Sequence, residues 1–125
     1  MSEQTASPRA LVAVAGALGF TGVALGAFGA HALRARVSPE LLEVYKTGVF
    51  YHLVHAVALL AVNGLWARLR APRVTAALFV VGVVIFSGSL YALAISGVRL
   101  WGAVTPLGGL AFLAGWLTLV LPGRR

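Results

Sequence analysis

Two histidines, His52 and His55, lie three residues apart in an otherwise apolar stretch of the chain. Residues at that spacing share one face of a helix. Tyr45 stands seven residues before His52 and Asn63 eleven after it, which extends the same stripe. At about 1.5 Å rise per residue, His52 falls ~8 Å and His55 ~12 Å beyond Thr47. His31 closes the preceding apolar stretch at that same end, and Ser96 and Thr105 fall there as well. Ionisable groups at membrane depth are costly, so they are functional candidates by default.

Several chemistries fit such a cluster. His52 and His55 could share one metal ion if His31 or Glu43 completed the shell, although no metal motif stands in the sequence itself. A haem takes axial ligands from opposite faces, so this pair would need His31 or a second copy of the chain. A quinone headgroup could accept hydrogen bonds from a histidine and from Tyr45. A proton relay is a further use of the same groups. The plain alternative is packing: bonds from His52 and His55 to neighbouring helices, or an interfacial position beside Tyr51.

Catalysis has less to stand on. Ser87 and Ser89 lie mid-span, but a serine nucleophile needs a base and an orienting acid. The acids are Glu3, Glu40 and Glu43, all outside the apolar segments, and there is no Asp. Ile85 also occupies the first glycine position of the Gly-x-Ser-Gly signature of intramembrane serine proteases. These serines are read as bonding to their own helix or to a neighbour. No glycine loop is followed by the Lys-Ser/Thr of a phosphate-binding motif. Coupled transport calls for intramembrane acids and repeated halves, and neither occurs. The chain is therefore read as non-enzymatic.

The elements that must position these groups follow from composition. Of 125 residues, 60% are hydrophobic and 10% charged. A soluble domain is nearer a quarter charged, and one this small hides only about two-thirds of its potential surface. Lipid is the solvent that accommodates the surplus. The expected fold is all-α: one integral membrane domain over residues 1–125, with spans at about 10–30, 47–66, 74–96 and 100–121. Backbone groups in lipid must be paired within the segment, which makes each span a helix, and the alternation of a β-barrel is missing. A cleaved signal peptide ending near Ala30-His31-Ala32 is disfavoured, because the first apolar run exceeds the usual 7–15 residues.

Charge gives the threading. The formal net charge is +7. With four spans both termini share one side, which collects Arg9, Arg68, Arg70, Arg73, Arg124 and Arg125 against Arg34, Arg36, Lys46 and Arg99 on the other. The positive-inside rule then places both termini in the cytoplasm. Trp66 and Trp116 read as anchors at that interface and Trp101 at the opposite one. The basic surplus faces anionic lipid headgroups; a nucleic-acid reader would need a soluble basic module, and none is present. With no cysteine, disulfides and thiolate metal sites are excluded.

Local signals refine the spans. Ser38-Pro39-Glu40 reads as an N-cap, a first-turn proline and a first-turn acid, so the second helix should begin near Pro39. Its first turns alternate Leu41, Leu42, Val44 and Tyr45 with Glu40, Glu43 and Lys46, as in a stretch lying at the interface. The fourth helix either starts near Leu100 and kinks at Pro106, or is shorter and capped by Thr105. Gly19, Gly22, Gly26 and Gly29 share one face of the first span. Such a face lets helices approach closely, within the chain or in self-association.

The strings GAFGAHAL (26–33), YKTGVFYHLVHAVALL (45–60), FSGSLYAL (86–93) and WGAVTPLGGLAFLAGW (101–116) resemble a family of small bacterial inner-membrane proteins. It is the domain-of-unknown-function family 423, with small mitochondrial-type transmembrane relatives in animals. The resemblance implies a polytopic bundle of about four helices and no established activity, cofactor or catalytic residue. The first functional reading is a structural or interaction subunit, or an assembly factor, whose partners are the lipid bilayer and other membrane proteins. A cofactor, metal or quinone module built on His31, His52, His55 and Tyr45 is one alternative. A small transporter or channel is the other.

Overall fold

The computed structural model describes residues 7–124. Arg125 and Glu3, and the ends of the single domain expected over 1–125, lie outside that range. Four helices are long and apolar enough to cross a membrane. The first is Arg9–His31 and the second Pro39–Leu65. The third runs from Pro72 to Ser96 and the fourth is Leu100–Val120. Among the described residues there is no strand.

The capping signal of the second helix is realised. Ser38 Oγ accepts the Leu41 N–H at 3.2 Å, with Pro39 in the first turn. The stretch that follows turns its apolar face inward. Leu42 and Tyr45 are buried while Glu40, Glu43 and Lys46 are exposed, so its apolar face packs on protein. Leu33, Tyr45 and Ala94 form a small core there, beneath the ends of the first and third helices. The fourth helix is continuous from Leu100 through Pro106, which overturns a cap at Thr105.

Adjacent helices run antiparallel, and close approach sets their register. A Cβ on Gly22 would meet Leu53, on Gly26 Val49, and on Gly29 the ring of Tyr45. Three of the four glycines in the first-span stripe are therefore consumed inside the chain, against the second helix. Gly19 has nothing within 4 Å. The third and fourth helices meet just as closely, at Gly82 with Phe112 and Gly115 with Phe79. The main core lies where the four helices cross and contains Leu59, Phe79, Val83 and Phe112. Outward side chains such as Phe20 and Val120, each 77% exposed, form an apolar exterior suited to acyl chains.

One irregularity has no forewarning in the sequence. The third helix is α-helical over Pro72–Gly82, widens to a π-turn over Val83–Ser87, and resumes as α-helix over Gly88–Ser96. Such turns are frequent at functional sites. Here the backbone of Phe86 lies against Gly108, where a Cβ would collide with it. The displaced Ser87 hydroxyl donates to the Gly48 carbonyl of the second helix at 2.7 Å. Ser89 and Thr105 hydroxyls bond at 2.6 Å one turn further on.

Candidate functional site

The second helix carries both histidines, but it aims them at different neighbours. Spacing of three leaves an angular offset of about 60° on a helix, enough to separate two contacts in a tight bundle. His52 is turned toward the first and third helices, and His55 toward the fourth.

His52 bridges three helices. Its Nε2 is 3.1 Å from the Thr21 hydroxyl and its Nδ1 is 2.8 Å from the Tyr91 hydroxyl. Thr21 has one proton, and the carbonyls of Ala17 and Leu18 lie 2.9 and 3.1 Å from its oxygen. With that proton given to its own helix, the hydroxyl accepts from Nε2–H, and Nδ1 accepts from Tyr91 O–H. Thr21, His52 and Tyr91 thus form one chain of hydrogen bonds across the first three helices.

His55 is held in the opposite tautomer. Nδ1 lies 2.8 Å from the Tyr51 carbonyl, which only accepts, so Nδ1 carries the proton. The Trp116 indole, which only donates, gives its N–H to Nε2 at 3.0 Å. The imidazole is therefore neutral, with both nitrogens occupied. Its ring lies flat on Phe112, centroids 3.7 Å apart and planes 11° apart. Trp116, expected as an interfacial anchor, instead turns its polar edge inward to this histidine. Trp66, expected in the same role, is buried in the core.

The other predicted members of the cluster stay apart. Tyr45 is buried, and its hydroxyl donates to the Leu25 carbonyl of the first helix. His31 is exposed at the end of the first helix. Asn63 stands beyond both histidines, with its buried Oδ1 unpartnered among the described residues. Among the described residues no three histidine or acidic side chains come close enough to hold a metal ion, so His31 or Glu43 does not complete a shell with His52 and His55. The expectation that His52 and His55 face one shared site is corrected by the same geometry.

A different feature does have the form of a site. A groove of about 470 Å³ opens between the second, third and fourth helices beside Pro106. Tyr51, His55, Phe86, Phe112 and Trp116 line it. The Tyr51 ring is within 18° of parallel to Phe112 and within 14° of parallel to His55. The Tyr51 hydroxyl makes no hydrogen bond among the described residues. The wall is almost wholly apolar, so it can receive a flat ring or a hydrocarbon chain; its polar atoms belong to Tyr51, His55 and Trp116, and both His55 nitrogens are already engaged.

Sequence reasoning missed Thr21, Tyr91 and Gly48 as partners of the polar groups, and Phe86 and Phe112 as groove walls. Thr21 carried a readable signal, as the sole hydroxyl in a glycine-rich span, where such groups commonly bond across helices.

Against known families, residues 25–109 match the model described as "Protein of unknown function (DUF423)". The chain belongs to the DUF423 family. Among curated relatives, the UPF0382 membrane protein YwdK of Bacillus subtilis is 45% identical over 102 residues, covering 79% of this chain and 83% of that protein. The UPF0382 inner membrane protein YgdD of Escherichia coli K12 is 41% identical over 109 residues, covering 86% of this chain and 83% of its own length. The UPF0382 membrane protein SH2409 of Staphylococcus haemolyticus is 43% identical over 101 residues, covering 79% and 82%. No solved structure matches the chain. This DUF423 protein is thus a small integral membrane protein, and the names of its relatives carry no reaction.

Proposed function

We propose that this DUF423 protein is a non-enzymatic, multi-pass protein of the bacterial plasma membrane that acts by association, as a structural subunit or assembly factor. The observation that carries this reading is the occupation of both ring nitrogens of His52 and of His55 within the chain. A ligand, base or relay must exchange one of those bonds, whereas a packing group keeps them. The apolar exterior and the open Gly19 on the first helix supply surface for another membrane protein. Both termini are assigned to the cytoplasm because the arginines gather at their end; the inner-membrane naming of the Escherichia coli relative supports the choice of membrane alone.

The absence of cysteine makes the test direct. A single Gly19→Cys variant in native membranes should form a defined cross-linked species, and the tagged full chain should carry the same partner through purification. A monomer with no specific companion in both experiments sinks the proposal.

The aromatic groove favours a second reading, a binding module for a lipid-soluble planar ring such as a quinone. Trp116 lines that groove, so its fluorescence should be quenched saturably by a short-chain quinone and not by the matching saturated alcohol. Equal, non-saturating quenching by both removes this reading. Haem or metal bound at stoichiometric level in the purified protein would remove the structural one.

A further inference from the structure

At the end of the bundle that carries the termini, a second groove, of about 230 Å³, runs between the first helix, Trp66 and the start of the third helix. Its walls are Ala10, Leu11, Val14, Trp66 and Ala76, and the side chain of Arg73 stands at its mouth. Leu11 and Trp66 are buried at its floor, and Val14 opens toward lipid. The Arg73 guanidinium carbon sits 5.7 Å from the centre of the Trp66 ring, within the range of a cation–π contact. The cation is thereby held over the groove.

Among the described residues the charge around the groove is positive. Arg9 lies between Pro8 and Ala10, both in the groove wall. Neither Arg9 nor Arg73 has a carboxylate partner among the described residues; Glu40 and Glu43 stand at the opposite end of the bundle. Both arginines occupy the first turn of a helix, with no acid in that turn. A cation there opposes the positive end of the helix dipole, so its placement costs stability unless an anion offsets it. The Arg124 N–H bonds to the Arg68 carbonyl at 3.0 Å, which keeps the end of the chain beside this loop.

We propose that this groove is a binding site for one anionic phospholipid, with its phosphate against Arg73 and Arg9 and an acyl chain laid along Leu11, Val14 and Ala76. The groove supplies the apolar half of the recognition and Arg73 with Arg9 the charged half. Headgroup and chain are recognised together, which separates this site from the diffuse attraction of any basic surface to an anionic leaflet.

The test uses the full chain in a zwitterionic detergent and native mass spectrometry. Dioleoyl phosphatidylglycerol and dioleoyl phosphatidylcholine are added at equal concentration. One phosphatidylglycerol should bind per chain in preference to phosphatidylcholine. Arg73→Gln should weaken it about fivefold, the factor expected for one arginine near a membrane surface. Arg70→Gln, exposed but outside the groove, should leave binding unchanged. Val14→Trp keeps every charge and fills the groove; it should abolish the preference while circular dichroism shows an intact helical fold. Equal binding of the two lipids overturns the proposal. So does an equal loss in Arg70→Gln and Arg73→Gln, which would mean diffuse charge. Competition by glycerol phosphate as strong as by the whole lipid would mean a free phosphate site and also overturns it. Displacement of the lipid by an oligoglutamate peptide, at lower concentration than by a second lipid, would reassign the surface to an acidic polypeptide.

Discussion

The Trp116 indole donates its N–H to His55 Nε2 over 3.0 Å and ties the fourth helix to the second through two side chains that are otherwise apolar in their surroundings. The donor has no other role to play toward His55, and the acceptor has no proton to offer, because Nδ1 holds it against the Tyr51 carbonyl. The pairing fixes a tautomer, and the stack on Phe112 fixes the ring plane.

Nitrogen-15 spectra of the solubilised protein should therefore show His55 neutral, with Nδ1 protonated and Nε2 bare. Trp116→Phe keeps an aromatic wall and removes the donor. It should lower stability by about 0.6 kcal/mol and by no more than about 1.7 kcal/mol, the mean and the maximum for interhelical hydrogen bonds in a membrane bundle, and should shift the His55 Nε2 resonance. Wild-type stability together with an unmoved resonance would show that the bond contributes nothing.

The bridge through His52 makes a coupled prediction. Thr21→Val and Tyr91→Phe each remove one end of the chain of bonds, at about 1 kcal/mol apiece. Once either end is gone the imidazole is free to take the other tautomer or to turn. The double variant should therefore lose less than the sum of the two singles, with a coupling of at least about 0.5 kcal/mol. Strict additivity in reversible unfolding would mean that the two contacts act independently.

The spans were legible because lipid imposes length and apolarity on every crossing segment, and the Ser38-Pro39-Glu40 cap because it is local chemistry. The direction of each histidine was not. On a helix that is apolar nearly all round, spacing shows that His52 and His55 are neighbours but does not reveal which helix each one meets. The π-turn at Val83–Ser87 was equally hidden: Gly82 and Gly88 flank it, but glycines are common in these spans, and the close approach of Gly108 to Phe86 comes from another helix. The amphipathic turns around Leu42 and Tyr45 were read as interfacial, and the same pattern serves an internal face once Leu33 and Ala94 cover it. Trp116 misled for a related reason: a tryptophan near a span end fits an interfacial belt, and only the antiparallel register brings it level with His55.

Two neighbouring glycines should respond in opposite ways. A Cβ at Gly108 would collide with the Phe86 backbone, which cannot swing aside as a side chain does. Gly108→Ala should destabilise by about 1–3 kcal/mol, the usual cost of overpacking, and should disturb the π-turn. A Cβ at Gly109 would meet Phe86 ring atoms at 3.8 and 3.9 Å, an ordinary contact. Gly109→Ala should stay within about 0.5 kcal/mol of wild type, as for a substitution away from strained features. Thermal unfolding in detergent separates the two, and equal losses would contradict the close approach at Gly108.

Threading is the last expectation, and it is quantitative in charge. The end assigned to the cytoplasm carries Arg9, Arg68, Arg70, Arg73, Arg124 and Arg125, and the opposite end Arg34, Arg36, Lys46 and Arg99. Reporter fusions after Arg125 should be active in the cytoplasm, and insertions beside Arg34 should be active outside it. Replacing Arg68, Arg70 and Arg73 by glutamine leaves three basic residues against four. Orientation follows the balance in short loops near span ends, so the triple variant should give a mixed or inverted population. The relevant loop is short, from Trp66 to Pro72, and its charges act at the point where the third helix enters the membrane. A triple variant with unchanged reporter activity at both positions would mean that helix packing, and not the arginine balance, sets the orientation.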